Sequence, residues 1–196
     1  MSIRPAVSLC RLLSAAGLAL ASLAAASAFA VSPAAAGHAS NAAALVQPQQ
    51  LTVDRSLPKA QRDAQILAAR RYDTFWNTGD ESLARAALAH DFTDRTLPPG
   101  RAQGIEGPLA ASKFVRGAVP DMQAQIEQMV VAGDHVIVHL RFQGHFTGQF
   151  KGVQGHGQNV DFIATDIYRI KDGRIADNWH LEDNLTFLQQ LGAVAN

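Results

Sequence analysis

The feature that most limits how this chain can fold is a change of hydrophobic period near Asp121. Before it, apolar residues recur at helical spacing. Ile66, Ala69, Tyr72, Phe75 and Trp76 fall on one side of a helix over 59–77, and Gly79 follows as a stop. Leu83, Ala87 and Leu88 mark a short helix over 81–90. Gly107-Pro108 starts a third, because proline suits the first turn; it runs to Val119 and ends at Pro120. After Asp121, Val136, Val138, Leu140 and Phe142 alternate with Ile137, His139 and Arg141, which is a strand pattern. Residues 146–152, 159–170 and 174–182 read as further strands, with Lys171-Asp172-Gly173 as a hairpin turn. A last helix over 184–191 sets Leu185, Leu188 and Leu191 on one stripe, with Asp183 before it as N-cap. Helices first and strands after predict an α+β domain, with helices packed on one face of a curved antiparallel sheet and a pocket between them.

The N-terminus predicts export. Arg4 and Arg11 precede an apolar run from Leu12 to Ala30, which ends in the small-x-small pattern Ala28-Phe29-Ala30. The run is rich in Ala and so suits a cleaved signal better than a membrane anchor, which needs ~20 strongly apolar residues. The expected layout is a signal peptide over 1–30, a flexible linker over the Ala, Ser, Gln and Pro-rich 31–56, and one domain over 57–196, with a periplasmic or extracellular destination. Cys10 is the one cysteine and leaves with the signal, so neither a disulfide nor thiolate chemistry is expected. Loss of Arg4 and Arg11 leaves 15 basic and 17 acidic residues, a net charge of −2. No basic stripe marks a nucleic-acid surface. His90, His135 and His156 lack the spacing of a metal site, and neither a phosphate loop nor a nucleophile elbow is present.

Several stretches, in order, carry a family resemblance: Phe75-Trp76-Asn77-Thr78-Gly79-Asp80, Pro120-Asp121-Met122, Gly144-His145-Phe146-Thr147-Gly148, the run Asp166 to Ile175, Asn178 to Asp183, and Gln189-Gln190-Leu191-Gly192. Over about residues 62–192 the chain resembles the SnoaL-like polyketide cyclases, of the nuclear-transport-factor-2-like cone fold. That resemblance implies a cone-shaped α+β barrel with its helices over a pocket. It also implies an acid/base pair on the last two long strands, where the type member carries His and then Asp. The matching residues here are Asp166 and His180, the same types exchanged. Asp94 matches a polar pocket position of the family; by its own surroundings it reads as a helix-end or turn carboxylate.

Whether Asp166 and His180 meet depends on hairpin register. A two-residue turn at Asp172-Gly173 sets Asp166 opposite Trp179 and turns His180 to the other face. A three-residue turn sets Asp166 opposite Asn178, with His180 as its diagonal neighbour and Ala164, Tyr168 and Asn178 on the same face. The second register is the expectation here. His180 is then the general acid/base and Asp166 its orienting partner, or the reverse; alternatively the two form a satisfied buried pair. Asn178, Asp94, Tyr168, Trp76, Phe92, Phe114 and His145 are expected around the pocket, with His139 and Arg141 on the outer face. The chemistry this pair suits is proton removal α to a carbonyl, leading to aldol-type cyclisation or isomerisation through an enolate with no cofactor. Two alternatives are a non-catalytic binder of an apolar small molecule using the same pocket, and a dimerisation module with a collapsed one. A homodimer through the open sheet face is expected. Polyketide cyclases of the family work beside cytoplasmic synthases, so export argues for a different carbonyl compound.

Overall fold

The computed structural model describes residues 45–195. The expected signal segment and residues 31–44 of the expected linker lie outside the described residues. The linker reading needs correction at its end. Gln50–Val53 is a strand, β1, because its backbone pairs with a later strand although its side chains are mostly exposed.

Helix α1 (Lys59–Thr78) buries Ala68, Ala69, Tyr72 and Phe75 along the expected stripe. Gly79 ends it in the left-handed region at φ 78°, its N–H bonded to the Phe75 carbonyl at 2.7 Å. Helix α2 (Glu81–Ala87) starts at Asp80, whose side chain accepts from the Ser82 N–H. It is shorter than expected. The backbone turns extended at Leu88, and Leu88–Asp94 forms strand β2. Helix α3 (Glu106–Ala118) ends where Val119 leaves the helical region before Pro120.

The sheet follows. Strands β3 (Gln123–Ala132) and β4 (His135–Phe146) form a hairpin across Gly133. The expected strand over 146–152 is a separate miniature hairpin, β5 (Gln149–Phe150) with β6 (Val153–Gln154). Strands β7 (Gln158–Lys171) and β8 (Arg174–Glu182) complete the sheet, and α4 (Asn184–Gln190) closes the chain behind the Asp183 cap. The order is β1-β3-β4-β7-β8-β2. The four middle strands are antiparallel, and the two edges, β1 and β2, pair in parallel. The sheet is curved and unclosed, as the expected cone requires. Alternation on β4 sends Val136, Val138, Leu140 and Phe142 into the core and leaves Ile137, His139 and Arg141 on the outer face. No helix among the described residues is long and apolar enough to cross a membrane.

The β7–β8 register matches neither expected alternative. Asp172 (φ 51°) and Gly173 (φ 72°) are both left-handed, so the turn has two residues and Lys171 pairs with Arg174. Ile170 then pairs with Ile175, but Arg169 pairs with Asp177. Ala176 is therefore an extra residue, a β-bulge, and four consecutive residues from Ile175 to Asn178 are buried. Arg169 and Arg95 both bind the Asp177 carboxylate beside the bulge. The shift sets Asp166 directly opposite His180.

Glycine is required where the segment after β4 crosses the end of α3. The Gly148 N–H bonds the Ala118 carbonyl at 2.9 Å, and a Cβ at Gly148 would lie 1.9 Å from the Gly117 oxygen. Gly148→Ala should cost ~1–3 kcal/mol through overpacking. A thermal unfolding midpoint equal to wild type would contradict this account.

Candidate active site

Strand alternation and the bulge send three consecutive inward positions of β8, Asn178, His180 and Glu182, toward the cavity side, facing Asp166 on β7. The parallel pairing of β2 with β8 adds a fourth group, since Asp94 is the partner of Asn178. His180 is held from two sides. Its Nε2 lies 3.1 Å from both carboxylate oxygens of Asp94, and its Nδ1 lies 2.7 Å from Glu182 Oε1. Its backbone N–H donates to Thr96 Oγ1. The His180 side chain is only 5% exposed.

A ring with a carboxylate at each nitrogen donates from both and is an imidazolium. Burial disfavours that charge. The bonds to Glu182 and Asp94, with the nearby charge of Asp166, outweigh it and hold the His180 pKa at about 9. Burial likewise works against the Glu182 carboxylate, but the His180 ring holds its pKa below the ordinary value. Asp166 behaves differently. Burial pushes it up to about 6 against the pull of His180, the Tyr168 hydroxyl at 2.9 Å and the Asn178 amide. The expected bond between Asp166 and His180 is therefore replaced: Asp94 and Glu182 orient the imidazole, and Asp166 acts on it through space.

The cavity between sheet and helices has a volume of about 210 Å³, smaller than the ~300 Å³ at the low end of ligand pockets. Its walls are mostly apolar, with aromatic rings from several elements: Tyr72 and Trp76 from α1, Phe92 from β2, Phe142 and Phe162 from the sheet, Phe187 from α4. Arg101, in the loop after β2, reaches its rim 3.8 Å from Asp94.

Of the residues expected here, Asp166, His180, Asn178, Asp94, Trp76 and Phe92 line the cavity. Three do not. Phe114 is 52% exposed and packs against Phe150 of the β5–β6 hairpin, the rings tilted with centroids 5.2 Å apart; Pro108, Ala111 and Val115 supply the inward face of α3 instead. His145 falls on the outer face of β4, bound to Asp121. Tyr168 lies behind the wall, fully buried, and touches Asp166 from the rear. Glu182, Arg101 and Tyr72 were not expected. For Glu182 a signal existed, since a residue two beyond His180 on a strand shares its face; for Arg101, in an irregular loop, there was none.

The family model of SnoaL-like polyketide cyclases matches residues 66–191. The chain belongs to this family. Among solved structures, a candidate polyketide cyclase from Bacillus cereus ATCC 10987 is 40% identical, with a TM-score of 0.71 over 77% of this chain and 95% of that one. TsrD from Streptomyces laurentii is 27% identical, with a TM-score of 0.60 over 70% and 99%. IdmH from Streptomyces antibioticus, another candidate polyketide cyclase, is 28% identical, with a TM-score of 0.59 over 67% and 98%. No curated protein matches. This SnoaL-like chain thus has the cone fold of its family, with Asp166 and His180 of its two long strands facing one another.

The His180 cluster should appear in the pH dependence of stability. The folded-state pKa of about 9 exceeds the ordinary 6.5, so the contribution is whole below pH 6.5 and is lost as pH rises through 9. The loss is about 3 kcal/mol at most. Denaturant unfolding at pH 6.5 and pH 9.5 should show it in wild type and not in His180→Gln; equal pH dependence in the two proteins would refute the assignment.

Proposed function

We propose that this chain is a cofactor-independent acid/base catalyst acting on a carbonyl compound. One observation carries the reading. In a small, mostly apolar cavity, a carboxylate at about pKa 6 faces an imidazolium at about pKa 9. Two groups driven to opposite protonation states are what concerted proton transfer needs. The roles are the reverse of those first assigned to the pair. At neutral pH His180 already carries its proton and cannot take another, so Asp166 is the base. Asp166 removes a proton α to the carbonyl, and the electron pair moves onto the carbonyl oxygen. His180, whose two N–H groups stay on Asp94 and Glu182, stabilises the resulting enolate by its positive charge. The enolate carbon then attacks a second carbonyl, which closes a ring, or is reprotonated at another carbon, which isomerises the substrate. Either route returns the proton and needs no redox partner.

The volume suits a compact substrate, or the reactive end of a longer one that enters past Arg101. The N-terminal pattern of basic, apolar and small residues supports export, and with it a carbonyl compound other than a nascent polyketide. Ile163, Ile167, Trp179 and Leu181 on the outer sheet face support a homodimer. One observation favours the alternative, a non-catalytic binder: both His180 nitrogens are already saturated by carboxylates.

The two readings part on Asp166→Asn. A catalyst loses ~10²–10⁴-fold in kcat while still binding ligand; a binder keeps its affinity and turns nothing over. Once a substrate is found in a panel of small aromatic and aliphatic carbonyl compounds, kcat/KM should rise through pH 6 and fall through pH 9. A profile flat between pH 5 and 7 would exclude Asp166 as the base.

A further inference from the structure

One buried titratable group has no part in the mechanism above. Asp73, on α1, is wholly inaccessible. Its Oδ1 lies 2.7 Å from the Tyr168 hydroxyl, which lies 2.9 Å from Asp166 Oδ2. The three side chains form a line from the helix through the sheet to the cavity, and Tyr168 is also fully buried. Tyr72 packs edge-on against the Tyr168 ring at 5.7 Å, which fixes the phenol between the carboxyls.

Proton counting limits this line to few states. A phenol has one proton, and each of the two contacts needs one. With both carboxylates ionised, one oxygen–oxygen contact at hydrogen-bonding distance would have no hydrogen in it. At least one carboxyl is therefore protonated. The surroundings choose which. Asp166 has the His180 charge and the Asn178 amide beside it. The second oxygen of Asp73 has no hydrogen-bond partner among the described residues. The ionisable groups around the line are Tyr72 and Asp73 on α1, Asp166 and Tyr168 on β7, His180 and Glu182 on β8, Asp94 on β2 and Arg101 in the loop after β2. Both cations, His180 and Arg101, lie on the cavity side with Asp166, and His180 acts on it.

We propose that Asp73 is a protonated positioning residue, donating to Tyr168 so that the phenol proton is turned onto Asp166 and holds it ionised and aimed into the cavity. The direction of proton donation is Asp73 to Tyr168 to Asp166. This rests on reading Asp166 as the base; the placement of the protons stands apart from it. Burial, partly offset by the bond from Tyr168, pushes the Asp73 carboxyl well above the carboxylate range, in keeping with this order.

The test is a pH titration of Asp166 by carboxyl NMR in the full chain labelled at aspartate, which needs no substrate. In Asp73→Asn the amide donates as the protonated acid does, so the Asp166 midpoint should stay within a few tenths of a pH unit. Tyr168→Phe removes the donor and should raise it by roughly one unit. A fall of more than one unit in Asp73→Asn would put the proton on Asp166 instead and overturn the proposal, as would an unchanged midpoint in Tyr168→Phe. Infrared difference spectra of wild type guard against a variant that fails to fold. A protonated-carboxyl stretch persisting at pH 8, above the Asp166 midpoint, supports the proposal, and its absence overturns it. If these titrations behave as expected but Asp166→Asn leaves turnover intact, the catalytic reading fails and the proton order stands.

Discussion

One unpaired residue decides what the cavity contains. Without the bulge at Ala176, the two-residue turn at Asp172-Gly173 would carry perfect alternation down β8 and turn His180 and Glu182 to the outer face, with Trp179 and Leu181 inward. The cavity would then lose the imidazole and the Glu182 carboxylate that face Asp166. With the bulge, imidazole and carboxylates meet on one wall. The Asp177 carboxylate, held by Arg169 from the paired strand and Arg95 from the segment after β2, sits immediately beyond the extra residue. That double ion pair opposes a slip back into regular pairing, so the outer-face charges of β8 support the chemistry of its inner face.

Burial does the rest of the tuning. Three carboxylates, an imidazolium and a guanidinium crowd one end of a mostly apolar pocket. Charges in such a place persist only when paired. His180 is paired twice, which fixes its protonation and its ring plane together. Asp166 has no cation in direct contact; its partners are a phenol and an amide. It is therefore the member of the cluster whose charge is most weakly held and whose pKa lies closest to neutrality. The asymmetry between a saturated imidazolium and a loosely held carboxylate is what the proposed division of roles rests on, with His and Asp exchanged between the strands.

How much of this was legible depended on sequence distance. Helix α1, its Gly79 stop and the Asp183 cap follow from local rules, and each is where those rules place it. Strands β1 and β2 were not legible. Gln50–Val53 is largely exposed, and Leu88–Asp94 buries residues in an irregular pattern; both are strands because parallel partners lie far along the chain. The same difficulty governs the site. Asp166 and His180 are close in sequence and shared a face in the favoured register, although for the wrong reason: a short turn plus a bulge replaces a longer turn. Asp94 read as a turn carboxylate because nothing local shows that β2 lies beside β8. Phe114 was misplaced by one helical position, enough to rotate it ~100° off the inward face of α3.

The cavity's small size fits this electrostatic arrangement. A wide pocket would admit water, and water would weaken both the His180 pairing and the elevated pKa of Asp166, since each arises from a medium that solvates charge poorly. Aromatic rings drawn in from α1, β2, the sheet and α4 fill much of the space beside the charges. Under the proposed reading, the same closeness that suits a compact carbonyl group also keeps Asp166 basic. Pocket volume and the raised pKa of Asp166 both depend on the packing of apolar side chains around a few buried charges.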